Sequence, residues 1–171
     1  FLSIPMLIAL LAGGATVLAF APFGWWPLQI IALALLLLQA QHAESPKASF
    51  AIGWAFGTAS IAAGTHWLYV SLHHYGGMPA LMAAIAVLLL ASGLGLLYGS
   101  ALGFAKRIAV TLRAPLTLML LIPACWMLAD WTRNWIFTGF PWLATGYAHN
   151  ASPLAGYAPL VGVFGIGFLA S

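Results

Sequence analysis

Residues 80 to 103 read Ala-Leu-Met-Ala-Ala-Ile-Ala-Val-Leu-Leu-Leu-Ala-Ser-Gly-Leu-Gly-Leu-Leu-Tyr-Gly-Ser-Ala-Leu-Gly, without a charge, a proline or an amide. A helix needs about 20 apolar residues to cross a hydrocarbon core about 30 Å thick, and this stretch exceeds that length. Phe50 to Leu72 is a second long stretch of the same kind. Leu2 to Phe20 and Leu116 to Trp135 also qualify; Leu28 to Ala40 is shorter unless it begins near Trp25. Another apolar run opens near Ala158 and continues to Ser171. The expected fold is all-α, a polytopic transmembrane helical bundle of five spans plus the start of a sixth. Residues 1–171 are expected to be one transmembrane domain, a fragment truncated in its sixth span.

Composition agrees. Hydrophobic residues make up 64% of the chain and charged residues 4%. Soluble domains carry about a quarter charged residues, too many more for this chain to cover a surface facing water. The net charge of +3 does not indicate nucleic acid, because the cations are scattered and Lys106, Arg107 and Arg113 fall in one short segment. Lysine and arginine are enriched in short cytoplasmic loops, so Phe104 to Pro115 is expected to be a loop facing the cytoplasm. Alternation then places Lys47 on the same side. It puts the Trp25-Trp26 turn, the His73 to Pro79 turn and Phe137 to Tyr157 on the outer side. Gly76-Gly77 and Pro79 are expected to end the third helix. The first apolar stretch leads into Phe20–Pro27 with neither a basic leader nor a small-residue cleavage pattern, and is expected to be a span.

Small residues suggest how the spans pack. Gly53, Gly57, Ser60 and Gly64 share a face of the third helix, and Ala91, Gly95, Gly99 and Gly103 recur every fourth residue in the fourth. Such stripes let helix backbones approach closely in lipid, where no hydrophobic effect operates between helices.

The chemistry concentrates in Trp126 to Tyr147, which holds one of the two acidic residues, one of the five basic residues and four of the eight tryptophans. Asp130 and Arg133 are three apart, hence on one helix face and within reach of each other. An ionisable residue in a span marks a functional site by default. The pair is expected either to anchor the fifth helix or to line a lipid or substrate entrance. Trp131, Trp135 and Trp142 suit an outer aromatic belt. Gly139-Phe140-Pro141 sets Trp142 apart by fixing a non-helical turn just outside the span.

No paired carboxylates, Ser-His-Asp set, phosphate loop or zinc-protease pattern occurs, so no catalytic residue is assigned. His73 and His74 are adjacent, a poor spacing for one metal ion, and His66 and His149 are single; no metal and no cofactor is expected. Cys125 lies in a span, where desolvation disfavours the thiolate, and is expected to be a packed residue.

The chain resembles the membrane domain of the bacterial apolipoprotein N-acyltransferases. The resemblance is carried by Phe20-Ala21-Pro22-Phe23 before Trp26-Pro27, by Trp67-Leu68-Tyr69-Val70-Ser71 and by Tyr75-Gly76-Gly77-Met78-Pro79. The Trp126 to Tyr147 block, with Thr138-Gly139-Phe140-Pro141-Trp142 and Gly146-Tyr147, is its most specific part. In that family a multi-span domain joins a periplasmic nitrilase-like domain with a Glu-Lys-Cys triad. The implied enzyme takes an acyl chain from a membrane phospholipid as a cysteine thioester and passes it to the diacylglyceryl-cysteine of an apolipoprotein. The resemblance therefore implies phospholipid and apolipoprotein as partners, the inner membrane as location and a periplasmic Trp142 loop. It leaves this chain expected to be inactive alone, with Asp130, Arg133, Trp142 and Tyr147 as candidates for a lipid entrance. Cys125 does not match the family's nucleophile. Asp130 stands where the family usually carries glutamate, and Ala148-His149-Asn150 follows Tyr147 where Ser-Gln is common. The alternative is a non-enzymatic membrane protein, such as a small transporter subunit or a scaffold.

Overall fold

The computed structural model describes residues 3–112 and 118–171, and every regular element among them is helical. α1 (Ile4–Ala15) runs into a 3-10 turn (Thr16–Ala19), followed by α2 (Trp26–His42), α3 (Pro46–Gly64) and α4 (His66–Val70). A π-helical turn (Ser71–Tyr75) leads to α5 (Ala80–Leu112) and then α6 (Leu118–Arg133). Three 3-10 turns, Ile136–Thr138, Thr145–His149 and Pro153–Tyr157, precede α7 (Ala158–Ala170).

Local sequence sets several helix starts. Proline occupies the first or second position of α1, α2 and α3, where its missing N–H has no intrahelical acceptor to lose. Ser45 caps α3 by accepting from the Ala48 N–H at 3.1 Å. The turn after Tyr75 uses Gly77 at φ 67°, a backbone conformation open to glycine.

Two expected boundaries are corrected. The stretch from Phe50 to Leu72 is not one helix, because Thr65 leaves the helical region (φ −106°, ψ 16°) and its buried hydroxyl donates to the Ile61 carbonyl at 2.7 Å. The expected loop from Phe104 to Pro115 is helical through Leu112, since Phe104 to Leu112 contains no glycine or proline to stop α5. Lys106 and Arg107 are therefore helical residues; Arg113 lies outside the described residues. Lys106 is buried and donates to the Gln41 carbonyl at 2.8 Å, capping the C-terminal turn of α2.

Two segments, Ala80–Leu112 and Pro153–Ala170, are long and apolar enough to cross a membrane; Ile4–Ala19 and Trp26–His42 are shorter apolar helices. Length and composition thus establish two candidate crossings rather than five. α3 is 19 residues long but is diluted by Lys47, Ser49, Thr58 and Ser60, and α6 has 16 residues, about 24 Å of helix.

The antiparallel α3–α5 pair is the most extensive helix contact. Pro46 and Phe50 meet Gly103, Phe50 and Trp54 meet Gly99, and Thr58 meets Gly95. Gly53 lies under Tyr98 and Leu102, and Gly57 lies against the Tyr98 ring. Gly64 belongs to a different contact, with Leu143. Ser49 and Trp54 secure the pair by donating to Leu102 and Ser92 carbonyls, each at 3.1 Å. α1 joins the outer side of α3, where Gly13 meets the Phe56 backbone and Thr16 shares a 2.7 Å hydrogen bond with Ser60. The outer surface remains apolar: Leu7, Ile31, Leu81, Leu89, Leu120 and Leu160 are all more than half exposed.

Candidate functional site

Trp126, Asp130 and Arg133 recur at intervals of four and three along α6, so one face carries all three toward α5. Tyr98 meets them, with its ring 4.3 Å from the Trp126 ring centre and its hydroxyl donating to Asp130 Oδ1. Phe56 closes the far side of Trp126 with an edge contact at 5.4 Å. Tyr98 lies about 27 Å along α5 from Ala80, so the polar groups sit well inside the bundle.

Asp130 and Arg133 are 1% and 0% exposed, joined at 3.0 Å from Nη2 to Oδ1. Attraction within a buried pair repays the cost of desolvation when further hydrogen bonds meet most of its polar atoms, and among the described residues only Arg133 Nε of this pair is without a partner. Asp130 is met by Tyr98, Arg133 and the Thr145 N–H, which donates to Oδ2 at 2.8 Å. Arg133 Nη1 donates to the Trp142 carbonyl, and its guanidinium lies 5.8 Å from the Tyr98 ring centre.

These bonds draw the segment after α6 back into the helices. The Phe140 N–H donates to the Arg133 carbonyl at 2.8 Å, and Trp126 Nε1 donates to Thr145 Oγ1 at 2.9 Å. Ala144, Thr145, Gly146, Ala148 and His149 are buried, with Gly146 against the Val163 carbonyl of α7. The expected outer loop from Phe137 to Tyr157 is therefore partly folded back into the bundle. Irregular backbone can lie inside such a bundle only when protein covers it, and here Asp130 takes the Thr145 N–H while Arg133 takes the Trp142 carbonyl and the Phe140 N–H.

The turn itself is strained. Thr138 and Leu143 have φ of 75° and 65°, a region side chains rarely adopt, beside Gly139 at 93°. Such conformations persist where surrounding contacts over-determine them. Leu143 fits over Gly64, and Arg133 holds the preceding carbonyl. The Trp142 side chain is left half exposed, 6.3 Å from the Trp67 ring centre and 5.0 Å from Phe140. Tyr147 is also half exposed, whereas Trp25 is exposed in a separate turn beside Phe23.

Trp142 and Tyr147 are thus available to a partner, while Asp130 and Arg133 are enclosed. The pairing of Asp130 with Arg133 follows from their spacing, but Tyr98 and Thr145 do not. The signal for Tyr98 was its isolation as the phenol of an apolar helix, since a buried hydroxyl requires a partner. His149 is buried beside Trp26 with neither ring nitrogen hydrogen-bonded among the described residues. Among those residues no group of three His, Cys, Asp or Glu is placed to hold a metal ion.

Residues 12–171 match the family described as apolipoprotein N-acyltransferase N-terminal domain. The chain belongs to this family. It is 41% identical over 162 residues to the apolipoprotein N-acyltransferase of Pseudomonas syringae pv. tomato, covering 95% of this chain and 32% of that protein. It is 44% identical over 160 residues to the Ralstonia nicotianae enzyme of the same name, covering 93% and 31% respectively. With the Coxiella burnetii apolipoprotein N-acyltransferase it shares 38% identity over 167 residues, 95% of this chain and 33% of that protein. The chain spans about a third of the length of these relatives. In this N-terminal domain, then, the Asp130–Arg133 pair and the turn it holds are two parts of one unit.

Proposed function

We propose that this chain is the membrane-embedded part of a phospholipid-dependent apolipoprotein N-acyltransferase. It crosses the inner membrane five times and begins a sixth crossing, with the Trp142 turn facing the periplasm. Phospholipid is the acyl donor, and the N-terminal diacylglyceryl-cysteine of an apolipoprotein is the acceptor. Catalysis falls to a cysteine on another domain, and this segment alone is inactive. Asp130 is fully engaged, and Cys125 lines an apolar groove with Leu97 and Leu128, so neither is set up as an activated nucleophile or its base.

The observation that carries this reading is the fixed Trp142 turn: buried charges immobilise the backbone while the indole stays exposed. Asp130 and Arg133 act as positioning residues; Trp142 and Tyr147 are the groups open to lipid. In the full-length protein, Trp142→Ala is expected to reduce acyl transfer to a lipopeptide severalfold more than Trp25→Ala at matched expression. Trp25 is equally exposed in another turn and controls for interfacial anchoring. Equal losses would make Trp142 an anchor only.

Orientation has its own test. Cysteines replacing the exposed Tyr75 and Asn150 are expected to react with an impermeant thiol reagent added to intact cells, and one replacing Arg107 only after lysis. Thr145 is unsuitable as a reporter because it is buried. Labelling of Arg107→Cys alone in intact cells would invert the topology.

A further inference from the structure

Two shallow grooves flank a single ridge on α5, the first at the end of the bundle opposite the Trp142 turn and the second beside the middle of α5. One, about 400 Å³, lies between α3 and α5 and is lined by Lys47, Phe50, Gly103 and Arg107. The other, about 310 Å³, lies between α5 and α6 and is lined by Leu97, Cys125, Leu128 and Thr132, so it runs from Phe104 back toward the residue before Arg133. Both also include Ser100 and Phe104. Ser100, Phe104 and Arg107 are spaced four and three apart, so they form one line along α5 with the exposed Phe104 ring between the grooves.

Charge at this end is unbalanced. Lys47 and Arg107 come from different helices onto one groove, both are exposed, and neither forms an ion pair among the described residues. Lys106 is not available, because the Gln41 carbonyl holds it. Two cations on one groove, with an apolar groove across Phe104 from it, match one amphiphile in particular. We propose that this ridge seats an anionic diacyl phospholipid of the leaflet at the Lys47 end, its phosphate between Lys47 and Arg107 and its two chains on either side of Phe104. Apolar walls alone would take any lipid; the paired cations select negative headgroups, because each basic group near the surface strengthens attraction to anionic lipid. Its headgroup end lies opposite the acyl-donor face proposed above, and the site rests only on the bundle being embedded in lipid.

The test uses native mass spectrometry of the chain in a neutral detergent, titrated with phosphatidylglycerol or with phosphatidylcholine of the same chains. The wild type is expected to retain phosphatidylglycerol about tenfold more strongly. K47Q/R107Q is expected to abolish that preference, and Phe104→Ala to lower occupancy by both lipids. A phosphatidylglycerol carrying a photoreactive group on its acyl chain is expected to crosslink to residues around Phe104 and Leu128. Equal retention of the two lipids by the wild type would overturn the proposal. So would an unchanged preference in K47Q/R107Q, or crosslinks scattered around the bundle, which would reveal only a diffuse surface potential. Failure of the chain to fractionate with membranes would instead remove the lipid-embedded reading itself.

Discussion

Asp130→Ala is expected to cost about 3–5 kcal/mol, the range for removing one partner of a buried ion pair. Against total stabilities of about 5–15 kcal/mol, that loss should appear as a large fall in folded yield and in thermal midpoint in detergent. The cause lies in what is left behind: a buried guanidinium, the Tyr98 hydroxyl and the Thr145 N–H all lose their acceptor. Asp130→Asn is expected to recover only part of the loss, because the amide has one acceptor oxygen for donors that now occupy two. Arg133→Ala should be comparably damaging, and should also free the Trp142 carbonyl. In the double variant the loss should be well below the sum of the single losses, since removing both charges leaves neither unpaired. Additive losses would show that the two side chains do not depend on each other. A wild-type thermal midpoint in Asp130→Ala would show that the enclosure around Asp130 is not what holds the turn.

Gly95→Leu is expected to be strongly disruptive at the α3–α5 contact. A Cβ there would fall on Thr58 Oγ1 and lie 3.0 Å from the Thr58 backbone nitrogen, so α3 itself would have to move. Overpacking in a well-filled site typically costs about 1–3 kcal/mol, and more where backbone blocks relaxation. Gly99→Leu meets the Phe50 carbonyl and Trp54 Cβ, each at 3.0 Å, and should behave similarly. Gly93 supplies the control: it lies on the same helix with nothing within 4 Å of its added Cβ, so Gly93→Leu should fold normally. Size-exclusion profiles and unfolding midpoints in one detergent compare the three. Equal behaviour of Gly95→Leu and Gly93→Leu would mean that the Gly95 face meets lipid rather than α3.

Both changes act on the same support. Tyr98 packs on Gly57 of α3 with one side of its ring and reaches Asp130 of α6 with its hydroxyl. Displacing α5 from α3 would therefore shift a donor to Asp130, and with it the turn carrying Trp142. This coupling explains why a glycine stripe remote from the turn should affect its geometry.

The sequence by itself determined what local composition can determine. Charge-free apolar runs require helices, and prolines and Ser45 mark where several of them start. The three-residue spacing of Asp130 and Arg133 placed them on one face, and the glycine recurrence indicated close helix approach. Tertiary structure alone decided the partners. Tyr98 and Thr145 lie 32 and 15 residues from Asp130, and no periodicity connects them to it. The break at Thr65, the cap that Lys106 makes on α2 and the return of Thr145–His149 into the bundle were equally hidden. The reason is that exposed and packed positions here are both apolar, so hydropathy cannot distinguish an outer face from a packed one. Shape and the need to satisfy every buried polar group make that choice, and both depend on residues brought together only by the fold.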